Sequence, residues 1–200
     1  MNETDPSRPR LSSTGQSENG FSNWASSPLV ISAVAFVTFF IIVVAIHASG
    51  FGSPMIYDSD GWIIGRDTVF RDGGLFPVIG IVPVRPLFMA SLYLNYAVAG
   101  MDPWSFRVVN ALILVMAGCA LAWMILGLLE IPRLAIPGTF WEKRAVAFGL
   151  ALIFVAHPLQ SFVVLYIWQR EAIMACFFYF SCFYLYLEMR SGRWKNPVIA

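Results

Sequence analysis

The sequence predicts an all-α membrane protein with about four transmembrane helices and interfacial helices in its first outer loop. Three observations predict it. Of 200 residues, 58% are hydrophobic and only 12% are charged, whereas soluble domains carry about 25% charged residues. So small a charged fraction cannot cover a water-facing surface of this size. Mean hydropathy is +0.68, and long charge-free runs alternate with short charged segments. The net charge of +1 leaves no strong field to attract nucleic acid.

Residues 1–28 are rich in Ser, Asn, Gly and Pro with mixed charges, a composition that cannot bury enough apolar area to order itself. They read as a cytoplasmic tail. Residues 29–50 are the first expected span, rich in Val, Ile and Phe without Lys, Arg, Asp or Glu. Small residues follow at Ala48, Ser49 and Gly50, as at a signal-peptidase site, but the run is long and starts far into the chain. An uncleaved anchor is therefore expected. Residues 51–107 form a long loop with dispersed charges, and 108–130 the second span. Residues 131–144, with Pro132, Pro137, Lys143 and Arg144, are a short loop. The third span, 145–158, stops at His157-Pro158, because proline removes a helix donor and disfavours helix at the residue before it. Residues 159–171 are then an interfacial segment, 172–189 the fourth span, and 190–200 a cytoplasmic end. The last residues read as the start of a further loop or span, so a larger protein is expected. Cys119, Cys176 and Cys182 lie in apolar stretches, where cysteine behaves as a small hydrophobe; neither disulfide nor zinc chemistry is expected.

Orientation follows the Lys and Arg bias. Arg8, Arg10, Arg133, Lys143, Arg144, Arg190, Arg193 and Lys195 flank one side in short segments. Arg66, Arg71, Arg85, Arg107 and Arg170 lie on the other. The tail is thus expected in the cytoplasm, and the long loop and the His157–Glu171 hinge on one outer face.

Three clusters on that face carry possible chemistry. Tyr57-Asp58-Ser59-Asp60-Gly61 places two carboxylates just past the first span. Asp58 and Asp60 read in three ways: ligands for a divalent cation, a general base toward an acceptor hydroxyl, or a solvated turn. Arg85 precedes the apolar stretch 86–100, too short to span comfortably and suited to the interface plane. Its guanidinium matches the geometry of a lipid phosphate; snorkelling to headgroups is the plainer alternative. Third come His157-Pro158-Leu159-Gln160 and Tyr166-Ile167-Trp168-Gln169-Arg170-Glu171. Ionisable residues between apolar segments are costly and mark function, although a loop facing water also accommodates them. A lone His beside Pro is more often structural.

These stretches resemble the membrane portion of bacterial tetratricopeptide-repeat membrane proteins, which are similar to the transmembrane and tetratricopeptide-repeat O-mannosyltransferases. The resemblance rests on Met55-Ile-Tyr-Asp58, on Arg85-Pro-Leu-Phe-Met-Ala-Ser-Leu-Tyr-Leu-Asn-Tyr96, on Ala99-Gly-Met-Asp-Pro-Trp-Ser-Phe-Arg-Val-Val-Asn110, and on His157-Pro-Leu-Gln160 with Tyr166-Ile-Trp-Gln-Arg170. It runs over roughly residues 29–193. It implies a C-superfamily glycosyltransferase of the bacterial inner membrane with a polyprenyl-phosphate sugar donor. Asp58 matches the first residue of the family's Asp-Asp pair; Ser59 departs from the second, and Asp60 comes one residue late. No 34-residue helical repeat follows.

On that reading Asp58 or Asp60 is the catalytic acid-base group. Arg85, Arg170, or both, bind the donor phosphate. Glu171 and His157 orient Arg170 or contact the acceptor. The partners are a lipid-linked sugar donor and membrane lipid; no cofactor is assigned, and a divalent cation is admissible. The rival expectation is a non-catalytic membrane remnant or assembly subunit. A transporter is disfavoured, because no span centre carries a charge.

Overall fold

The structure, a computed structural model, describes residues 27–55, 58–131, 134 and 136–191, and the backbone alone of Asp58 and Asp60. Most of the tail, Arg133 and the end beyond Ser191 lie outside the described residues. Residues 1–34 form one unit, of which 27–34 are the first turns of a helix; residues 35–200 form the second. The regular secondary structure of the described residues is all helical, without strands.

Helix α1 spans Pro28–His47 and runs into a 3-10 turn, Ala48–Gly50. The loop that follows folds into four helices: α2 (Asp58–Trp62), α3 (Asp67–Asp72), α4 (Leu75–Ile81) and α5 (Pro86–Ala99). Helix α6 spans Pro103–Leu129. It starts ahead of the span expected from 108, on a local signal that the charge-free run does not include: Asp102 is the N-cap, its carboxylate accepting from the Trp104 N–H at 3.2 Å, and Pro103 takes the first turn. Helix α7 (Phe140–Ala156) opens on a capping box in which the Thr139 hydroxyl accepts from the Glu142 N–H and the Glu142 carboxylate from the Thr139 N–H. It ends at His157, which has left helical geometry ahead of Pro158. Helix α8 (Gln160–Leu165), a 3-10 turn (Ile167–Gln169) and α9 (Arg170–Arg190) complete the described chain. The three cysteines are free.

Three helical segments are long and apolar enough to cross a membrane: Pro28–Gly50, Pro103–Leu129 and Ile167–Arg190. Three of the four expected spans thus coincide with helices of that length among the described residues. The expected third span falls in α7, whose 17 residues reach roughly 25 Å at 1.5 Å per residue, short of a hydrocarbon core of roughly 30 Å. Its first turn also carries Glu142, Lys143 and Arg144. Helix α5, with 14 residues, is shorter again.

Helix contacts fix the directions. Asn110 meets Arg170, and Trp123 meets Tyr184, so α6 and α9 run parallel. Gly118 lies against Val155 and Trp123 against Phe148, so α7 is antiparallel to α6. Phe39 lies near Gly118, while Phe51, beyond the end of α1, meets Arg107, so α1 is antiparallel too. Consequently the ends of α1 and α7 and the starts of α6 and α9 gather at one end of the bundle, where both long loops meet. At the other end Lys143 Nζ donates to the Leu129 carbonyl at 3.1 Å, capping α6, and Arg144 pairs with Glu130.

Lipid tails offer helices no hydrophobic reward for associating, so close packing of small residues must hold them together. Ala111, Leu114, Val115, Gly118 and Ala122 line one face of α6; Ala147, Ala151 and Val155 repeat every fourth residue on α7. With Phe39, Val43 and Ile173 they include most of the buried bundle core. A second core, under the loop helices, gathers Ile63, Phe70, Val78, Phe88, Leu92, Phe106 and Trp168.

A Cβ on Gly118 would lie 2.4 Å from Val155 Cγ1 and 3.3 Å from a Phe39 ring carbon. Gly118→Leu is expected to cost about 1–3 kcal/mol by overpacking, read as a lower thermal midpoint in detergent; an unchanged midpoint would refute the close approach. Hydrogen bonds from the Thr139 N–H and then its hydroxyl hold the Glu142 carboxyl below its ordinary pKa. The sign follows: the cap contributes fully above the ordinary carboxyl value and loses its contribution as pH falls through the depressed one. Unfolding midpoints of wild type and Thr139→Ala should thus differ at neutral pH and converge in acid.

Candidate functional site

The loop end of the bundle is built on two buried arginines. Arg170 opens α9 with no exposed surface, and Arg107, in the second turn of α6, is 2% exposed. A buried guanidinium is tolerable only when its donors are met. Arg170 Nε donates to Asn110 Oδ1 at 2.7 Å and Nη1 to the Ser91 carbonyl at 3.0 Å. Its Nη2 donates to Asn95 Oδ1 at 2.8 Å and to the Phe106 carbonyl at 3.0 Å. The Phe106 ring lies 5.6 Å from the guanidinium carbon. Four neutral oxygens from α5 and α6 thus hold the start of α9.

Arg107 works on the opposite flank of α6. Nε donates to the Leu165 carbonyl at 2.9 Å, Nη1 to the carbonyls of Phe51 (2.7 Å) and Ser53, and Nη2 to that of Pro54 at 2.8 Å. The last carbonyls of any helix lack intrahelical donors. In α8 they are all met: Phe162 by the Tyr166 N–H, Val163 and Val164 by Asn110 Nδ2, and Leu165 by Arg107. Two polar side chains one turn apart on α6 therefore cap α8 and brace the loop after α1.

Around this frame the structure joins Arg85 to Glu171 and packs α2 against Trp168. The Ser59 hydroxyl, 1% exposed, accepts from the Trp168 N–H at 3.2 Å. The Trp168 ring stacks on Trp62 at 5.6 Å and meets Phe88 edge-on at 5.0 Å. Arg66 lies over the other indole, 4.6 Å from the Trp62 ring. So α2, which carries Asp58 and Asp60, is pinned to the turn that leads into Arg170 and Glu171. The Asp58 and Asp60 side chains lie outside the described residues. Arg85, one turn before Phe88, pairs with Glu171 at 2.6 Å.

Three expectations find different neighbours. Glu171 meets Arg85 and not Arg170, because successive residues of a helix point about 100° apart. Arg170, assigned to a phosphate, faces neutral protein oxygens instead. His157, the other candidate for orienting the acceptor, is exposed; its Nδ1 accepts from the Leu159 N–H at 3.2 Å, closing the Pro158 turn. The sequence reading passed over Arg107, Asn110, Asn95 and Ser59. The spacing Arg107-x-x-Asn110 at the polar edge of an apolar run was the available signal.

Over 102 residues, 51% of this chain, the sequence is 28% identical to protein O-mannosyl-transferase TMTC1 of Mus musculus. The identity and coverage are the same for the Homo sapiens protein of that name. The match spans 10% of each relative's own length. No family model matches the chain, and no solved structure matches it.

Asn110→Leu would strand the Arg170 Nε–H and two carbonyls of α8. It is expected to cost about 2–5 kcal/mol. Arg85→Gln breaks a pair whose side chains are 44% and 29% exposed, and should cost at most about 1 kcal/mol. Thermal unfolding of the two variants in the same detergent tests the ranking, and the reverse order would overturn the buried frame.

Proposed function

We propose that this protein is a membrane glycosyltransferase of the C superfamily, moving a sugar from a polyprenyl-phosphate donor to an acceptor hydroxyl at the outer face of the membrane. The observation that carries the reading is the convergence of three sequence-distant clusters on Trp168. The acid-bearing α2 is tethered to it through Ser59 and Trp62. Phe88 brings the start of α5, with Arg85, against its ring. Glu171 follows three residues later. The similarity to protein O-mannosyl-transferase TMTC1 and the membrane-length helices support the same reading.

The chemistry divides among these residues. Asp58 or Asp60 takes the proton of the acceptor hydroxyl, whose oxygen attacks the anomeric carbon, and the polyprenyl phosphate departs with the bonding electrons. Direct displacement inverts that carbon. Arg85 is the phosphate ligand: it is half-exposed and already holds a carboxylate, so a donor phosphate exchanges places with Glu171. That contact strengthens as negative charge develops on the leaving group. Arg170 positions these groups by fixing α5, α6 and α9 and does not touch the donor. With the tail in the cytoplasm, this end of the bundle faces out.

The test is transfer of labelled sugar from polyprenyl phosphate in membranes carrying the protein. Asp58→Asn is expected to lower the rate by about 10²- to 10⁴-fold with normal membrane insertion. Arg85→Ala should raise the donor KM. Undiminished product from both Asp58→Asn and Asp60→Asn would overturn the assignment.

A further inference from the structure

A cleft of about 370 Å³ opens on the Arg107 flank of α6, bordered by Gly50, Ser53, Pro54, Arg107, Ser161 and Leu165. Its walls are mainly apolar. Arg107 is the exception, a cation 2% exposed whose acceptors are all neutral carbonyls. A guanidinium has five N–H donors. Four are spent on Leu165, Phe51, Ser53 and Pro54; the remaining Nη2–H has no acceptor among the described residues. No carboxylate among them pairs with Arg107 either. The start of α6 adds the positive end of a helix dipole on the same side.

Ser161 gives the cleft a second polar group. His47 Nδ1 lies 2.8 Å from the Val43 carbonyl and must donate to it, which leaves Nε2 as an acceptor. The Ser161 hydroxyl, 3.1 Å away, therefore gives its proton to His47. Its oxygen retains lone pairs for a donor. The cleft thus combines one unpaired buried cation, one hydroxyl acceptor and apolar walls, at the end of membrane-length helices.

We propose that this cleft binds the phosphate group of a membrane lipid. A phosphate oxygen takes the free Nη2–H and neutralises the guanidinium. A headgroup hydroxyl donates to Ser161, and the chain lies along Leu165 and the half-exposed Phe162. The site is built on Arg107 and needs neither Arg85 nor the acid-bearing helix, so it stands independently of the transferase reading.

The test uses the full chain, purified and delipidated in detergent, with thermal unfolding followed by tryptophan fluorescence. Four additives are compared: phosphatidylglycerol, polyprenyl phosphate, diacylglycerol and inorganic phosphate. Either phosphate-bearing lipid should raise the midpoint by several degrees. A response to phosphatidylglycerol identifies a bulk-lipid site; a response to polyprenyl phosphate alone identifies a donor-lipid site. Diacylglycerol and inorganic phosphate should do neither. Arg107→Gln removes four internal hydrogen bonds and is a poor probe, since it threatens the fold. Ser53→Asp is the sharper variant: the backbone carbonyl that Arg107 uses stays, and a carboxylate arrives at the cleft as an internal counterion. It should fold and lose at least tenfold in lipid affinity. No midpoint shift with either phospholipid overturns the proposal, as does an equal shift with diacylglycerol or inorganic phosphate, or an unchanged response in Ser53→Asp.

Discussion

Arg170 is a fully buried cation that no carboxylate among the described residues pairs with. Nothing but correctly aimed neutral oxygens makes that bearable, and they come from four separate places: the Ser91 and Phe106 carbonyls and the amides of Asn95 and Asn110. The constraint propagates outward. Asn95, having accepted from Arg170, donates to Ser105, which donates in turn to the Asp102 carbonyl at the start of α6. Asn110 accepts from Arg170 and donates to the end of α8. Losing one partner removes more than one hydrogen bond, because it strands a charge in a low-dielectric setting. The loop end of the bundle therefore has one arrangement in which α5, α6, α8 and the start of α9 are satisfied together.

That arrangement explains which parts of the fold were legible in the sequence. The three longest helices are apolar runs, and bilayer thickness makes length a direct readout. Helix starts were marked by local chemistry at Asp102-Pro103 and at Thr139 with Glu142, and a helix end by Pro158. Helix α7 was harder. Its apolar stretch reads as a span, but with 17 residues it is shorter than the other three and opens on Glu142 and Lys143. The short helices α2 to α4 left no readable trace, since five to seven residues hold too few turns for a periodicity and cannot form unaided. They exist because Trp62, Phe70 and Val78 find a shared core around Trp168.

The site divides the same way. The cost of an ionisable residue between apolar segments singled out Arg170, which is the most deeply buried cation among the described residues. Cost alone does not say what meets it, so its partners were beyond reach: Asn95 and Asn110 lie 75 and 60 residues away in sequence. Arg107 read as the flank of a loop because charge normally ends an apolar run. Here the helix begins before the charge, at Pro103, and the arginine turns inward to carbonyls left over by α8 and by the loop after α1.

Ser59 bears most directly on function. The family resemblance places an acidic residue at this position, and the chain has serine. The structure gives that serine a buried place as acceptor for the Trp168 N–H. A neutral hydroxyl fills such a place at little cost, whereas a carboxylate there would be desolvated with a single donor to meet it. Serine at 59 thus secures the tether that holds α2 against Trp168. It also shifts the acid from the second position of the motif to the third. In a helix successive positions lie about 100° apart around the axis, so positions 59 and 60 do not share a face. Asp58 keeps its place in the motif, so under the proposed function it is the first residue to test as the acceptor's base.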